Sequence, residues 1–219
     1  MDKDSGLVKI GGDLSPESLI KGYRAGIFPW FEEEPILWWS PDPRAVLFLD
    51  HFHLSHSLKK VLRKKNYAVT VDQQFGDVIA GCAEPRPDQI EPGTWITPSM
   101  QAAYGQLHQL GYAHSIEVRR QHKLIGGLYG VALGKIFFAE SMFSREKNAS
   151  KLALVYLVFQ LKRWGFELID CQIPSLHLTT LGVTELSRTL FLQKIEANNL
   201  LANAPGKWTL DPDLAEEFC

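Results

Sequence analysis

The pattern of apolar and polar positions divides most of the chain into strands and helices. Alternation with a period of two predicts strands over residues 45–49, 67–71, 115–119, 124–131, 135–140 and 166–172. Helical spacing between end signals predicts helices over residues 16–24, 75–83, 98–110, 149–164 and 188–199. From residue 67 onwards the order is strand, two helices, three strands, helix and strand, which predicts an α+β protein with a mixed sheet.

The predicted helix ends carry residues that favour them. Ser15 and Thr97 each precede a proline. Their side-chain oxygens can cap the first turn of a helix, and the proline is tolerated because the first backbone N–H of a helix has no partner within it. Gly111 follows a helix and can adopt the left-handed backbone that ends it. For the long apolar helix, either Asn148 or Ser150 is available as the capping residue.

Residues 22–44 fit neither period. This stretch holds Trp30, Trp38 and Trp39, half of the six tryptophans, and four prolines interrupt it. Because proline removes a backbone donor and fixes φ, we expect neither a long helix nor a central strand here. Large aromatics on irregular backbone suit a surface that stacks on a nucleobase. The alternative, which the stretch taken alone favours, is a proline-rich strap with its indoles in the core.

Composition and charge narrow the class of protein. The chain has 219 residues, 45% of them hydrophobic and 22% charged, as is normal for a soluble globular protein of one or two domains. A net charge of -2 gives no global attraction to nucleic acid, so a polyanion site has to be a local patch. One candidate patch consists of Lys59, Lys60, Arg63, Lys64 and Lys65. The alternative for such a run of charges is a solvated helix face.

The cysteines and the apolar segments indicate a cytoplasmic protein. Cys82, Cys171 and Cys219 are odd in number, far apart and in no CxxC arrangement, so we expect neither a disulfide framework nor a metal site. The first residues lack the apolar segment of a secretory signal, and no apolar run is long enough to span a bilayer.

The strand over residues 168–172 carries the first candidate chemistry. Period-two alternation sends Asp170 and Gln172 to one face and Cys171 to the other. A carboxylate and an amide on the inner face of a sheet are costly unless they meet a partner or a substrate. The alternative is a structural pair satisfied by backbone groups.

Two further residues stand out. Glu140 ends an apolar strand beside polar and sulfur-bearing neighbours, and the structural alternative is a buried ion pair with Arg145. The loop over residues 91–97 delivers Trp95 to the start of a helix, where the alternative role is a hydrophobic staple.

Taken together, the motifs resemble those of the leucyl/phenylalanyl-tRNA–protein transferase family. The matching segments are Gly11-Gly-Asp-Leu-Ser-Pro, Gly26-Ile-Phe-Pro-Trp-Phe, Trp38-Trp-Ser-Pro-Asp-Pro-Arg, Gly93-Thr-Trp-Ile-Thr, His114-Ser-Ile-Glu-Val, Gly126-Gly-Leu-Tyr-Gly-Val, Glu140-Ser-Met-Phe-Ser-Arg, Asn148-Ala-Ser-Lys, Ile169-Asp-Cys-Gln, His177 and Leu181-Gly182. The match runs from about residue 6 to 191, in the family's order and spacing.

The resemblance implies a reaction and a fold. Such enzymes move leucine or phenylalanine from aminoacyl-tRNA to the N-terminal amine of proteins that begin with arginine or lysine, which marks those proteins for regulated proteolysis. Neither a metal nor a coenzyme is implied, because the tRNA ester already holds the energy, and neither a membrane nor DNA is an implied partner. The implied fold is a small α+β N-terminal domain over residues 1–50, followed by a GNAT-like acyltransferase domain over residues 51–219.

The resemblance also implies binding roles. Trp30 and Trp95 would flank the terminal adenosine of the tRNA, with a polar contact from Tyr104. The basic patch at residues 59–65 would contact the tRNA body without reading its sequence. The aminoacyl side chain would enter an apolar pocket made by Leu128, Met142, Leu154, Leu157, Leu161 and Ile169, although helical periodicity alone assigns the three leucines at 154, 157 and 161 to the core.

Asp170 and Gln172 are the expected catalytic centre. An α-amino group has a pKa of about 8, so the reaction needs orientation of the amine and a destination for its proton more than a strong base. The carboxylate would hold the amine and relay the proton, while the Gln172 amide orients the amine or the ester. Glu140 would either complement a basic N-terminal residue or bind the ribose.

Two other functions compete with this interpretation. A GNAT-type N-acetyltransferase would use acetyl-CoA, but the junction over residues 143–150 lacks the glycines that usually hold the pyrophosphate. A non-catalytic RNA-binding module would use only the tryptophans and the basic patch.

Overall fold

The computed structural model describes residues 6–85 and 94–218, whose strands form two sheets. The smaller sheet has the order β1-β3-β2 and contains β1 (Leu7–Ile10), β2 (Phe28–Pro29) and β3 (Leu37–Trp39). Helix α1 (Pro16–Arg24) connects β1 to β2, and the Ser15 hydroxyl accepts the Ser18 N–H at its N-terminus. The mixed α+β class predicted from the sequence is confirmed.

The larger sheet has seven strands in the order β10-β4-β9-β8-β7-β6-β5. Its strands are β4 (Arg44–Phe48), β5 (Ala68–Val71), β6 (Ala113–Arg120), β7 (Lys123–Leu133), β8 (Ile136–Ser144), β9 (Leu168–Gln172) and β10 (Thr184–Leu186). The accompanying helices are α2 (His56–Arg63), α3 (Phe75–Ala83), α4 (Pro98–Gln109), α5 (Ala149–Arg163), α6 (Leu176–Thr179) and α7 (Arg188–Asn199), and short 3₁₀ turns lie at Leu49–His51 and Leu214–Glu217.

Strands β8 and β9 are parallel, whereas the other pairs in this sheet are antiparallel. Helix α5 makes the crossover that a parallel pair requires. Adjacent residues on these strands face different cores: Phe138 packs in the cluster that contains α1, α4 and α7 residues, and Phe137 packs in the cluster that contains α2 and α5 residues. The sheet therefore separates two hydrophobic cores, and none of the helices described is long and apolar enough to cross a membrane.

Most predicted elements are present, with two corrections. The prediction that residues 22–44 hold no central strand is wrong, because β3 is the middle strand of the small sheet and its three residues lie between the prolines at 35 and 41. Neither Asn148 nor Ser150 caps α5 with its side chain; the Ser144 hydroxyl accepts the Ser150 N–H at 2.8 Å. The division at residue 50 stays a prediction, and β4, which precedes it, pairs within the large sheet.

Candidate active site

Two adjoining cavities lie where β8 and β9 separate. The parallel pairing ends at Phe138 and Asp170, and residues that follow this pair on both strands line the cavities. The first cavity, of about 310 Å³, is lined by Phe28, Pro29, Trp30, Trp95, Glu140, Cys171, Gln172 and Ile173. The second, of about 220 Å³, is lined by Leu47, Trp95, Leu128, Ala139, Glu140, Ser141, Met142, Leu154, Ile169, Cys171, Leu178 and Val183. Trp95, Glu140 and Cys171 are common to both.

A β-bulge on each of the two strands aims side chains into these cavities. On β8 the register against β7 shifts so that Glu140 is the extra residue. On β9 the register against β4 shifts at Cys171, and the following Gln172 has a φ of 63°. An extra residue bends its strand and redirects the side chains around it. Gln172 consequently lines the first cavity, although strict alternation places it with Asp170.

Glu140 accepts three hydrogen bonds at the shared wall. Its Oε1 accepts from the Tyr23 hydroxyl and the Gln172 amide, each at 2.8 Å, and its Oε2 accepts from the Tyr104 hydroxyl at 2.8 Å. Burial raises the pKa of this carboxyl to about 7, against the opposing effect of the two phenol donors. The structural alternative of an ion pair between Glu140 and Arg145 does not hold, because Arg145 pairs with the exposed Glu84 at 2.6 Å.

Asp170 occupies a different environment from the one expected. Its carboxylate accepts from Arg44 Nε at 2.9 Å and from Arg44 Nη2 at 2.7 Å, and both side chains are almost wholly inaccessible. Asp170 lines neither cavity. The role predicted for Asp170, to hold the incoming amine, stays a prediction that this position does not favour, because both of its oxygens accept from the Arg44 side chain.

The buried ion pair instead supports Gln172. Asp170 Oδ1 accepts the Gln172 backbone N–H at 2.9 Å, which holds the bulge that brings the Gln172 side chain to the cavity. The Arg44 guanidinium lies 4.8 Å from the Phe28 ring centroid and 4.4 Å from that of Phe191, so the cation is enclosed by aromatic faces. Asp170 is thus one hydrogen bond away from a residue that lines the cavity.

Some of the predicted aromatic residues line the cavities and others are buried in the core. Trp30 lines the first cavity, and Trp95 lines both. Trp38 lies in the core, where its indole N–H donates to the Gly11 carbonyl. Tyr104 is fully buried and lines neither cavity. Its position therefore does not support the predicted polar contact with the adenosine.

The predicted side-chain pocket is largely the second cavity. Leu128, Met142, Leu154 and Ile169 line it. Leu157 and Leu161 do not, and both are buried in the core. The physical reason is the helical rise, which carries these two residues about 5 and 10 Å further along α5 than Leu154.

The basic patch forms part of a solvent-facing helix outside both cavities. Leu58 and Leu62 anchor α2 in the core, while Lys60, Arg63, Lys64 and Lys65 are exposed and Lys59 is half-buried. Within the described ranges, none of the ion pairs includes these five cations. They remain available to a polyanion.

Sequence reasoning missed three residues of the site. Tyr23 was one apolar position of a predicted helix, Arg44 only the end of a motif, and Cys171 was placed on the opposite face from Gln172. No local signal identifies their partners. Residues 91–93 of the tryptophan loop and the side chain of His177 lie outside the described residues.

The comparisons of this sequence with family models and with curated proteins agree on one family. Residues 46–196 match the family described as leucyl/phenylalanyl-tRNA protein transferase, and residues 12–42 match the N-terminal domain of the same family. A solved structure described as L-PGS from Bacillus licheniformis is a weaker likeness, with a TM-score of 0.42 at 13% identity, covering 74% of this chain and 52% of that chain.

Three relatives share the printed name leucyl/phenylalanyl-tRNA–protein transferase. The Nitrosospira multiformis protein is 52% identical, over 97% of this chain and 91% of its own. The Pseudomonas fluorescens Pf-5 protein is 58% identical, over 87% of this chain and 84% of its own. The Hydrogenovibrio crunogenus protein is 50% identical, over 100% of this chain and 85% of its own. This chain belongs to the leucyl/phenylalanyl-tRNA–protein transferase family.

Proposed function

We propose that this chain moves leucine or phenylalanine from aminoacyl-tRNA to the N-terminal amine of an acceptor protein. The acceptors begin with arginine or lysine, and the product is marked for regulated proteolysis in the cytoplasm. One observation carries the proposal: an indole-walled cavity and an apolar cavity meet at Glu140, the carboxyl group common to both. That arrangement suits a ligand with a flat base, an apolar side chain and a reacting carbonyl between them.

The two cavities bind different parts of the aminoacyl-tRNA. The terminal adenosine stacks against Trp30 and Trp95 in the first cavity, since each indole offers a π-face to a base. The leucyl or phenylalanyl side chain enters the second cavity, among Leu128, Met142 and Leu154. The ester carbonyl then lies at the wall common to both.

In this mechanism Glu140 transfers the proton and Gln172 orients the amine. The neutral amine attacks the ester carbonyl, a C–N bond forms, and the amine proton passes to the Glu140 carboxylate. The C–O bond then breaks and the proton goes to the leaving ribose oxygen. A group whose pKa is about 7 can act in both directions near neutral pH. Gln172 donates to Glu140 through Nε2, which leaves its carbonyl oxygen to orient the amine.

We further propose that the seven-stranded sheet and its helices are a GNAT-like acyltransferase domain. The order β5-α3-α4-β6-β7-β8-α5-β9 and the splayed parallel pair β8 and β9 support it. The small N-terminal domain then ends between β3 and β4, because β4 pairs in the large sheet. The Ser150 N–H at the start of α5 is occupied by Ser144, which disfavours a pyrophosphate there. Superposition of a crystal structure on GNAT enzymes tests the fold.

The activity is tested by offering labelled Leu-, Phe-, Met- and Val-tRNA to peptides that begin with arginine, lysine or alanine. We expect label from Leu- and Phe-tRNA on the arginine and lysine peptides, and much less from Val-tRNA, because the proposed side-chain pocket should disfavour a side chain that branches at Cβ. If no peptide acquires label from any of the four tRNAs, the proposed reaction is wrong.

Replacing Trp30 with alanine should raise the KM for aminoacyl-tRNA about 5- to 150-fold, because one stacked base is worth roughly 1–3 kcal/mol. The value of kcat should change far less, since Trp30 contacts no reacting atom in this mechanism. Steady-state kinetics with Leu-tRNA measures both. Trp30→Phe is the matched control, because it keeps a π-face and should recover most of the affinity. An unchanged KM in Trp30→Ala removes the stacking role.

The double variant Lys60→Gln with Lys64→Gln should reduce the slope of log tRNA affinity against log salt concentration by about 2. The reason is that each phosphate contact releases roughly one counterion. Filter binding of tRNA between 50 and about 200 mM salt measures the slope. The double variant Lys60→Arg with Lys64→Arg keeps both charges and should keep the slope. Equal slopes for the neutral and charged variants would place the tRNA body elsewhere.

A further inference from the structure

Three oxygen contacts close a ring around Glu140. The Tyr23 hydroxyl lies 2.8 Å from Glu140 Oε1, and the Tyr104 hydroxyl lies 2.8 Å from Oε2. The two hydroxyl oxygens lie 2.5 Å from each other. Tyr23 belongs to α1 and Tyr104 to α4, so the ring joins the N-terminal segment to a strand of the large sheet.

Counting hydrogens distinguishes the two protonation states of this ring. The three contacts need three hydrogens, and the two phenols supply two. When Glu140 is a carboxylate, both phenols donate to it and the contact between the hydroxyls has no hydrogen. When Glu140 is protonated, its O–H donates to Tyr104, Tyr104 donates to Tyr23, and Tyr23 donates to the other carboxyl oxygen. Only the protonated state satisfies all three contacts.

The groups that face Glu140 keep both states accessible. Burial raises the pKa of Glu140 to about 7, the two phenol donors lower it, Asp170 raises it, and Arg44 lowers it. Burial also raises the pKa of Tyr23 and of Tyr104, so both remain protonated donors at neutral pH. The neighbouring Tyr129 is buried, and its hydroxyl has no hydrogen-bond partner among the residues described. Tyr129 therefore lies in the same buried surroundings but makes no hydrogen bond in the ring.

We propose that Tyr23 and Tyr104 are positioning residues that allow Glu140 to accept the amine proton and return it to the leaving oxygen. The inference rests on the proposed function. As the amine N–H bond breaks, an O–H bond forms on Glu140 and the ring closes without movement of a heavy atom. As that O–H bond breaks, the proton goes to the ribose oxygen and the two phenols again donate to the carboxylate. Helix α1 thereby contributes a residue to the transfer step.

The test is the pH dependence of kcat/KM in Tyr23→Phe and Tyr104→Phe. Each variant removes one charge-assisted donor to the carboxylate, which is a stronger hydrogen bond than the neutral contacts that the same hydroxyl makes in the protonated ring. The phenol donors lower the pKa of Glu140, so the midpoint of the acid limb should rise by about one pH unit. The ratio of variant to wild-type kcat/KM should then be about tenfold below one at pH 6 and approach one at pH 8.5, by the same one-unit shift. The ratio cancels ionisation of the acceptor amine, which is common to both enzymes.

Tyr129→Phe is the control, because it removes a buried hydroxyl that bonds to nothing described. Its ratio should not vary with pH. A ratio independent of pH in both Tyr23→Phe and Tyr104→Phe overturns the inference, whether activity is retained or uniformly lost. Because the two tyrosines lie on different helices, either variant alone suffices if the other does not fold. A wild-type protein that transfers nothing defeats the proposed function instead.

Discussion

Replacing Asp170 with alanine should cost about 3–5 kcal/mol of unfolding free energy, because it leaves the Arg44 guanidinium buried without its counter-ion. Arg44 is 0% exposed and donates through two nitrogens to the carboxylate that the substitution removes. Activity should fall as well, because the Gln172 N–H loses its acceptor at the bulge. Denaturant titration followed by circular dichroism measures the loss, which is a large fraction of the roughly 5–15 kcal/mol by which a typical domain is stable.

The paired variant separates a structural role for Asp170 from a chemical one. Buried ion pairs can often be replaced by apolar residues of similar volume without loss of stability. Arg44→Met with Asp170→Leu should therefore recover most of the unfolding free energy. Activity should return only in part, since the Gln172 N–H loses its acceptor at the bulge. An Asp170→Ala protein that is as stable as wild type and still inactive would contradict this account and place Asp170 in the reaction.

Local signals in the sequence were sufficient for most of the secondary structure. The helix over residues 16–24 has the predicted bounds because Ser15 caps it and Pro16 starts it. The helices at 75–83 and 188–199 likewise begin and end as predicted. These elements depend on contacts between residues a few positions apart, and a hydrophobic period records such contacts directly.

The details of the site depend on contacts that no period records. Glu140 and Cys171 each add one residue to a strand, and alternation fails at such a bulge because the following side chains are redirected. Tyr23 and Glu140 are 117 residues apart, and Arg44 and Asp170 are 126 apart. The sequence motifs therefore identified Asp170, Gln172 and Glu140 as candidates, but they could not identify the partners Tyr23 and Arg44.

Replacing Glu140 with glutamine should lower kcat/KM by roughly 10²–10⁴-fold, the usual contribution of a positioned acid–base group. Binding of aminoacyl-tRNA should persist, because Trp30 and the basic patch are untouched. Single-turnover transfer and filter binding measure the two effects. Glu196→Gln, which neutralises an exposed carboxylate on α7, is the control and should transfer at the wild-type rate.

The same substitution should change how stability depends on pH. The pKa of Glu140 in the folded protein is about 7, above the ordinary value of 4.5, so the folded state binds the extra proton between these values. Wild-type stability is therefore reduced by this group as pH rises from 4.5 through 7, by about 3 kcal/mol in all. Glutamine has no proton to lose, so the stability of Glu140→Gln relative to wild type should increase between pH 5 and 8. If the difference in unfolding free energy between Glu140→Gln and wild type is the same at pH 5 and at pH 8, Glu140 is already ionised at pH 5. A group that is ionised at pH 5 cannot hold the amine proton at neutral pH, so this result would contradict the proposed role.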